Sequence, residues 1–343
     1  MEIIKSGINI DFIGKQKIGF VLSAILIIVS IGSLIIHKGP NFGIDFVGGT
    51  LIQVKFSESV EVGKIRSAMT DMGFNDASVQ NFGQAGDNEF LIRTSSPEAS
   101  TEGLSNKVST ALKSSTGVMP EIRRTEMVGP QVGKDLRGKA LLAIFYSLLF
   151  IAIYISGRFE LKWMVSGITA GSLMTVVYFM SVFNVSMAFL ISTALIITLI
   201  IFWVLHLKYA MGAIVALLHD VIITVGIFSI LDLDFSLPII AALLTIIGYS
   251  LNDTIIVFDR IRENVKGEKS IDALPLLFNK SINETLSRTI LTSTTTLIVL
   301  FALYFLGGEI IHNFAFAMII GIFVGTYSSI FIATPIVLAV NKR

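Results

Sequence analysis

The sequence predicts a polytopic α-helical membrane protein that carries one extracytoplasmic α+β (ferredoxin-like) domain. Of its 343 residues, 53% are hydrophobic and only 15% are charged, whereas soluble domains average about 45–50% apolar and about 25% charged residues. Several apolar runs reach the ~20 residues that are needed to cross the hydrocarbon core of a bilayer. A long polar stretch separates the first run from the second. These observations together predict about eight transmembrane helices and one external domain.

The limits of the apolar runs define the predicted segments. The first run, residues 18–36, follows a charged start but lacks a small-residue cleavage site, so it is predicted to be an uncleaved anchor. Residues 1–17 are a predicted cytoplasmic N-terminus, residues 37–139 an extracytoplasmic α/β domain, and residues 259–288 a cytoplasmic loop. The predicted spans are 18–36, 140–157, 163–183, 185–205, 209–231, 235–258, 289–306 and 310–340. The third and fourth spans form a hairpin over 163–205, the fifth and sixth form a hairpin over 209–258, and the last two lie within 289–340.

The predicted orientation rests on the basic residues beside short loops, because these residues favour the cytoplasm. All basic clusters that flank the spans fall on one side of the membrane if both termini are cytoplasmic, and the alternate loops hold no Lys or Arg. The domain of residues 37–139 then lies outside. The flanking basic residues are Lys5, Lys15, Lys17, Arg158, Lys162, Lys208, Arg260, Arg262, Lys266, Lys269, Lys280, Arg288, Lys342 and Arg343.

The external domain is predicted to alternate strands and helices in the order β-α-β-β-α-β, which is typical of a ferredoxin-like split βαβ unit. No histidine occurs between Lys38 and Lys139, and no nucleophile–base set or metal-ligand spacing is visible. A binding or mechanical role is therefore favoured over catalysis. The predicted strands are 50–56, 77–82, 89–94 and 121–128, and the predicted helices are 62–72 and 101–114.

A pair of glycines, Gly48 and Gly49, opens this domain within the run Asp45-Phe46-Val47-Gly48-Gly49-Thr50. One interpretation is a bend that leads into the first strand. The other is a hinge that joins the domain to the membrane base. Glycine suits both, because it adopts backbone angles that are closed to other residues.

Two groups of ionisable side chains lie inside predicted spans. His219 and Asp220 occupy the middle of residues 209–231, and Asp253 lies between Asn252 and Thr254 in residues 235–258. Each such group costs at least ~2.5–3.5 kcal/mol to insert, so its presence in a span indicates function.

Helical spacing predicts which side chains accompany Asp253. Thr245 and Tyr249 precede it at intervals of four residues and should share its face. Arg288 enters the next span, where it begins a polar stripe that is expected to face protein or a wet cavity rather than lipid. The stripe consists of Arg288, Thr292, Thr295 and Thr296.

Two interpretations of these groups remain open. Burial in a low dielectric favours a protonated carboxyl group, whereas a nearby arginine favours the carboxylate. An aspartate and an arginine that approach and separate could therefore load and release a proton. The alternative is a static ion pair or hydrogen bond between helices, and for His219 and Asp220 a pair that satisfies itself.

Four motifs, in order along most of the chain, resemble those of the SecD/SecF family of the resistance-nodulation-division superfamily. They are GIDFVGGT at residues 43–50, ALLHD at 216–220, AALLTIIGYSLNDTIIVFDRIREN at 241–264 and NETLSRTILT at 283–292. The resemblance implies a SecF-like, non-enzymatic subunit of the bacterial inner (plasma) membrane that uses the proton gradient to drive late steps of polypeptide translocation. It implies Asp253 as the proton-relay aspartate and Arg288 as its partner. No motif in the sequence indicates an organic cofactor or a metal site.

The resemblance also implies the partners. These are SecD, the SecYEG translocon and the translocating unfolded polypeptide, together with membrane lipids and protons, with sodium as the alternative coupling ion. The net charge of +1 does not suggest a nucleic-acid partner.

The chain departs from the family pattern in one place. The family usually has six spans, and the extra pair here corresponds to residues 163–205. This insert resembles a duplicate of the hairpin that follows it, since Leu161-Lys162-Trp163 recurs as Leu207-Lys208-Tyr209. Leu173 and Met174 stand opposite the ionisable pair of the later copy, so the insert lacks the chemistry.

Two other functions fit parts of the sequence. A proton-driven drug- or lipid-efflux transporter of the same superfamily would carry two membrane halves and two external domains in one chain, whereas one half is present here. An intramembrane aspartyl protease would use Asp220 and Asp253 as two close carboxylates, but no Gly-x-Gly-Asp motif surrounds either residue.

Overall fold

The computed structural model describes residues 9–83, 86–94, 101–181, 186–268 and 270–341. The chain divides into two compact units: unit 1 (Met1–Asn41, Ala140–Leu233 and Pro238–Arg343) and unit 2 (Phe42–Lys139 and Asp234–Leu237). The strands are β1 (Gly49–Lys55), β2 (Ser78–Phe82), β3 (Glu89–Thr94) and β4 (Glu121–Val128). The helices are α1 (Gln16–Ile36), α2 (Ile44–Val47), α3 (Val62–Asp71), α4 (Thr101–Thr116), α5 (Pro130–Glu160), α6 (Trp163–Ser181), α7 (Met187–Val204), α8 (Lys208–Ile230), α9 (Leu237–Val265), α10 (Leu274–Leu306), α11 (Glu309–Ser328) and α12 (Thr334–Asn341).

Seven helices in the described part of the chain are long and apolar enough to cross a membrane. They include α1, α5, α6, α8, α9 and α10, and the seventh continues from α11 through a π-helical turn (Ser329–Ala333) into α12. The predicted span 185–205 corresponds to α7, whose apolar part Phe189–Val204 is shorter. Multi-pass membrane character is thus confirmed, while the count of eight spans stays a prediction.

Much of the predicted cytoplasmic loop, residues 259–288, is helical, and its cytoplasmic placement stays a prediction. Helix α9 continues to Val265 and α10 begins at Leu274. Side-chain pairs support these polar helical extensions, because Arg260 lies 2.8 Å from Glu263 and 2.7 Å from Glu284. Charge pairs at helical spacing stabilise a helix where hydrophobic burial does not.

Unit 1 is built around α8, most of whose side chains are buried. Its core joins residues of α5, α8, α9, α10, the π-helical turn and α12. Helix α1 packs closely on α8, because a Cβ atom at Gly226 would lie only 2.1 Å from the Cβ atom of Ser30. Small residues of this kind allow membrane helices to approach closely.

The extra hairpin, α6 and α7, packs through a core of its own. That core contains Phe145 and Leu149 of α5, Leu173 and Val177 of α6, and Ile191 of α7. Helix α7 also reaches the core around α8, because Phe202 belongs to that core and Leu195 packs against both cores.

Unit 2 contains a four-stranded sheet in the order β2-β3-β1-β4, and every neighbouring pair is antiparallel. All six predicted elements of this domain are present within two residues of their predicted ends. Burial alternates along β1 and β3, as expected for strands with one buried face. The apolar core includes Ile52, Val54 and Ile92 from the sheet, Ile65 and Met69 from α3, and Val108 and Leu112 from α4.

The two glycines at the start of β1 both have positive φ angles, 81° for Gly48 and 121° for Gly49. A Cβ atom at Gly48 would lie 2.6 Å from the Cα atom of Pro130. Gly133 lies about one helical turn after Pro130 on α5. A Cβ atom at Gly133 would lie 2.9 Å from the Gly48 backbone nitrogen. The glycines thus form a bend that leads into a strand, and they allow α2 and the start of α5 to touch. The hinge role stays a prediction.

The motif at residues 43–50, which contains these two glycines, also binds the segment Asp234–Leu237. This segment connects α8 to α9 and belongs to unit 2. The Gly43 N–H donates to the Phe235 carbonyl at 2.9 Å, and Asp45 Oδ2 accepts the N–H of Leu237 at 2.9 Å. Arg93 and Asp234 form an ion pair. The aspartate of the motif therefore has a defined structural role that the sequence did not suggest.

Candidate functional site

The two aspartates singled out by the sequence, Asp220 on α8 and Asp253 on α9, are both completely buried in unit 1. Each is held by hydroxyl groups that come from other helices, so the two carboxyl groups occupy separate hydrogen-bonded sites.

Asp220 lies at the centre of the first site. Its Oδ2 atom accepts hydrogen bonds from Ser250 Oγ of α9 at 2.6 Å and from Ser328 Oγ of α11 at 2.9 Å. Its Oδ1 atom lies 2.9 Å from Nδ1 of His219. On the other side of the ring, Nε2 of His219 lies 3.0 Å from Ser23 Oγ of α1. Four helices therefore contribute to this site.

Two glycines of α11 explain why the helices come so close here. A Cβ atom at Gly321 would lie 2.4 Å from side-chain atoms of Ile246, and one at Gly325 would lie 2.9 Å from the Ser250 Cβ atom. Because the glycines are spaced by four residues, they form one smooth strip against α9. This close packing brings Ser328 within reach of Asp220.

Asp253 forms the second site. Its Oδ2 atom accepts a hydrogen bond from Ser293 Oγ of α10 at 3.3 Å, and Ser293 in turn lies 2.7 Å from Thr326 Oγ1 of α11. The Oδ1 atom of Asp253 has no hydrogen-bond partner among the described residues, and neither has the buried hydroxyl of Thr289. One carboxyl oxygen is thus open to receive a proton.

Arg288 lies one helical turn before Thr292 on α10 and its side chain is exposed. Arg288 lies on the helix that supplies Ser293 to Asp253, but Arg288 and Asp253 form no ion pair in the described part of the chain. The hydroxyl of Thr292 donates to the Arg288 carbonyl at 3.0 Å. The structure therefore presents the aspartate and the arginine apart.

The predicted stripes around Asp253 are only partly buried. Tyr249 Oη donates to Thr296 Oγ1 across α9 and α10 at 3.1 Å. Thr254 is buried and donates to the Ser250 carbonyl at 3.1 Å. Thr245 and Asn252, however, are exposed, so Thr245 does not share the burial of Asp253. The rotation of each helix depends on its neighbours, which spacing alone does not reveal.

Sequence reasoning missed the hydroxyl residues that hold the two carboxyl groups. Ser250 stood inside the quoted motif without a role, and Ser23, Thr326, Tyr327 and Ser328 received no role. The available signal was the run Gly325-Thr326-Tyr327-Ser328-Ser329, in which small and polar residues follow one another inside an apolar span. Thr326 contacts Ser293, which binds Asp253, and Tyr327 contacts Ser23, which lies beside His219. Ser328 contacts Asp220 itself.

Comparisons with known proteins agree with the motifs. A family model described as "Protein export membrane protein SecD/SecF, C-terminal" matches residues 107–191 and 181–343, and "SecD/SecF GG Motif" matches residues 33–60. A protein translocase subunit SecF of Calditerrivibrio nitroreducens is 40% identical over 100% of this chain and 97% of its own length. The SecF of Vibrio alginolyticus is 42% identical over 98% of this chain and 91% of its own.

The fold has a solved counterpart. The crystal structure of SecDF, a translocon-associated membrane protein from Thermus thermophilus, matches with a TM-score of 0.75 and 33% sequence identity. The match covers 98% of this chain and 39% of that longer chain. Seven apolar helices of membrane length in the described part of the chain, two of which carry buried ionisable residues, define a multi-pass membrane protein. The chain belongs to the SecD/SecF family of protein-export membrane proteins, which confirms the resemblance seen in its motifs.

Proposed function

We propose that this chain is the SecF-like subunit of a Sec protein-export machine and that it uses the proton gradient to drive late steps of polypeptide translocation. The observation that carries the proposal is Asp253. It is a buried carboxyl group with one oxygen held by Ser293, the other oxygen open, and the charge of Arg288 near it but not paired with it. Such a group can take a proton on its open oxygen and release it when the arginine approaches.

The same proposal gives His219 and Asp220 an accessory role in the relay. Asn252, Thr254, Tyr249 and Thr292 are supporting polar residues. Gly48 and Gly49 would form a hinge that allows unit 2 to move. We assign unit 2 to the ferredoxin-like arrangement. No step of this mechanism makes or breaks a covalent bond of the polypeptide, so the protein is proposed to act without catalysis. The SecYEG translocon and the unfolded polypeptide that it passes are the further proposed partners, and sodium remains the alternative ion.

The position of a SecD-like partner follows from polar groups that this chain leaves exposed within its spans. Three exposed residues of α9 (Thr245, Gly248 and Asn252) and two of α10 (Arg288 and Thr295) recur at intervals of three, four or seven residues. A polar helix face is costly against lipid and favourable against another protein. We assign this face, which borders Asp253, to the contact with SecD. Apolar exposed residues such as Ile18, Ile28 and Ile168 would contact lipid.

A bulky substitution tests this assignment. A Cβ atom at Gly248 would contact nothing within 4 Å, so Gly248→Phe should fold but should hinder the partner. We expect copurification with a SecD-like protein to fall at least about tenfold, the effect of ~1.4 kcal/mol of lost binding. Gly171→Phe is the matched control, because Gly171 on α6 is also exposed with nothing within 4 Å of a Cβ. Equal copurification of the two variants would contradict the assignment.

Reporter fusions test the proposed orientation. With both termini in the cytoplasm, a reporter at Asn75, Asn184 or Asp232 should lie outside, and one at Lys266 or Lys342 should lie inside, as the distribution of basic residues predicts. Asn184 and Lys342 lie outside the described residues. A cytoplasmic signal at Asn184 would show that the extra hairpin does not cross the membrane twice.

A further inference from the structure

The hydrogen bonds around His219 can be counted proton by proton. Tyr327 Oη lies 2.5 Å from the Gly19 carbonyl oxygen. Since a carbonyl oxygen can only accept, the tyrosine proton must point to it. Ser23 Oγ lies 3.1 Å from the same Tyr327 oxygen. The tyrosine has already used its proton, so Ser23 must donate to it.

The remaining contacts of the ring follow from this count. Ser23 Oγ lies 3.0 Å from Nε2 of His219, and with its own proton used the hydroxyl can only accept. Nε2 must then carry a proton. A neutral imidazole has only one N–H, so Nδ1 would be bare, although it lies 2.9 Å from Asp220 Oδ1. A bare nitrogen and a carboxylate oxygen would repel each other at this distance.

We infer that His219 and Asp220 hold an additional proton between them, which makes the pair a second proton-binding site with Tyr327 as its positioning residue. The proton lies either on Nδ1 of an imidazolium or on Oδ1 of a protonated Asp220. The other carboxyl oxygen, Oδ2, is already occupied by the hydroxyls of Ser250 and Ser328. This inference deepens the accessory role that the proposed function gives to the pair, but its test does not depend on whether Asp253 carries protons.

Among the described residues, the groups that contact the pair are the hydroxyl of Ser23 on α1, that of Ser250 on α9, and that of Ser328 on α11, with the phenol of Tyr327 behind Ser23. Along α9, the carboxyl group closest in sequence to Ser250 is that of Asp253, three residues later. All contacting residues are buried or half-buried, so the proton is screened from water by the packing of four helices.

The test is histidine-selective nitrogen NMR of the full chain in lipid, which is practicable because the chain has only four histidines. The His219 signals are assigned by their loss in His219→Gln. At neutral pH we expect either both ring nitrogens protonated or, by infrared spectroscopy, a carboxylic acid band that disappears in Asp220→Asn. A single protonated ring nitrogen, whether Nδ1 or Nε2, together with an Asp220 carboxylate, would overturn the inference.

Tyr327→Phe provides the decisive variant. It removes the acceptor of the Ser23 proton, so Ser23 can turn and donate to Nε2, and the ring can then give its single N–H to Asp220. We expect the additional proton to be lost in this variant and kept in the control Tyr304→Phe, whose ring packs on His312. Should Tyr327→Phe fail to accumulate, Ser23→Ala removes the acceptor of Nε2–H and should also abolish the additional proton. Retention of the proton in the accumulating variant would show that Tyr327 does not position it.

Discussion

Asp253→Asn should abolish proton-driven export while the protein still accumulates and still binds its SecD-like partner. Asparagine keeps the shape of the side chain and can still accept a hydrogen bond from Ser293, but it cannot gain or lose a proton. It also removes a carboxyl group whose insertion into a membrane costs at least ~2.5–3.5 kcal/mol, so folding should not suffer. The measurement is export of a secreted reporter at matched protein levels.

Two further variants make this result interpretable. Asp272→Asn makes the same change at an exposed position and should leave export unchanged. Asp220→Asn should reduce export less than Asp253→Asn, because His219, Ser250 and Ser328 surround the carboxyl group and hold the helices in place. Normal export with Asp253→Asn would exclude the relay and leave Asp253 as a packing residue.

Arg288→Ala should stop export almost as completely. The arginine side chain is exposed, so its removal should leave the fold intact. Arg288 lies on α10, the helix that supplies Ser293 to Asp253, and without its positive charge the proposed release of the proton from the buried carboxyl group is no longer favoured. Arg288→Lys retains a charge, though not the planar guanidinium geometry, and should restore part of the activity.

A control lies on the same helix. Lys280→Ala removes a cation two turns earlier on α10, where the side chain is exposed and only a distant pair with Glu284, at 3.9 Å, is lost. Such surface pairs contribute about 0–1 kcal/mol, so export should be unchanged. If Lys280→Ala impaired export as much as Arg288→Ala, a general electrostatic effect on assembly would explain both results.

The polar stripe on α10 shows that helical spacing predicts which side chains share a face but not whether that face is buried. Spacing placed Arg288, Thr292, Thr295 and Thr296 on one face, and the structure keeps them there, but Arg288 and Thr295 are exposed while Thr292 and Thr296 are half-buried. The threonine hydroxyls donate to carbonyls of their own helix. Whether a polar stripe faces the bundle or a partner depends on how the helix is rotated, and that rotation is a property of the packing.

The sequence by itself determined the features that depend on local chemistry. Apolar runs of membrane length predict spans because every backbone polar group in lipid must be satisfied within its own helix. The six elements of unit 2 were predictable because strand and helix periods differ. Asp220 and Asp253 could be identified because a carboxyl group within an apolar span is anomalous wherever the span packs.

Only the tertiary structure decided what holds these carboxyl groups. Ser328 reaches Asp220 from a position 108 residues away, and Ser293 reaches Asp253 from 40 residues away. The sequence shows many serines and threonines in the spans, and most of them can satisfy their hydroxyls on their own helix. Which of them turn to an aspartate depends on close helix contacts such as those at Gly321 and Gly325, because hydrogen bonds require partners within about 3 Å and a given rotation of each helix.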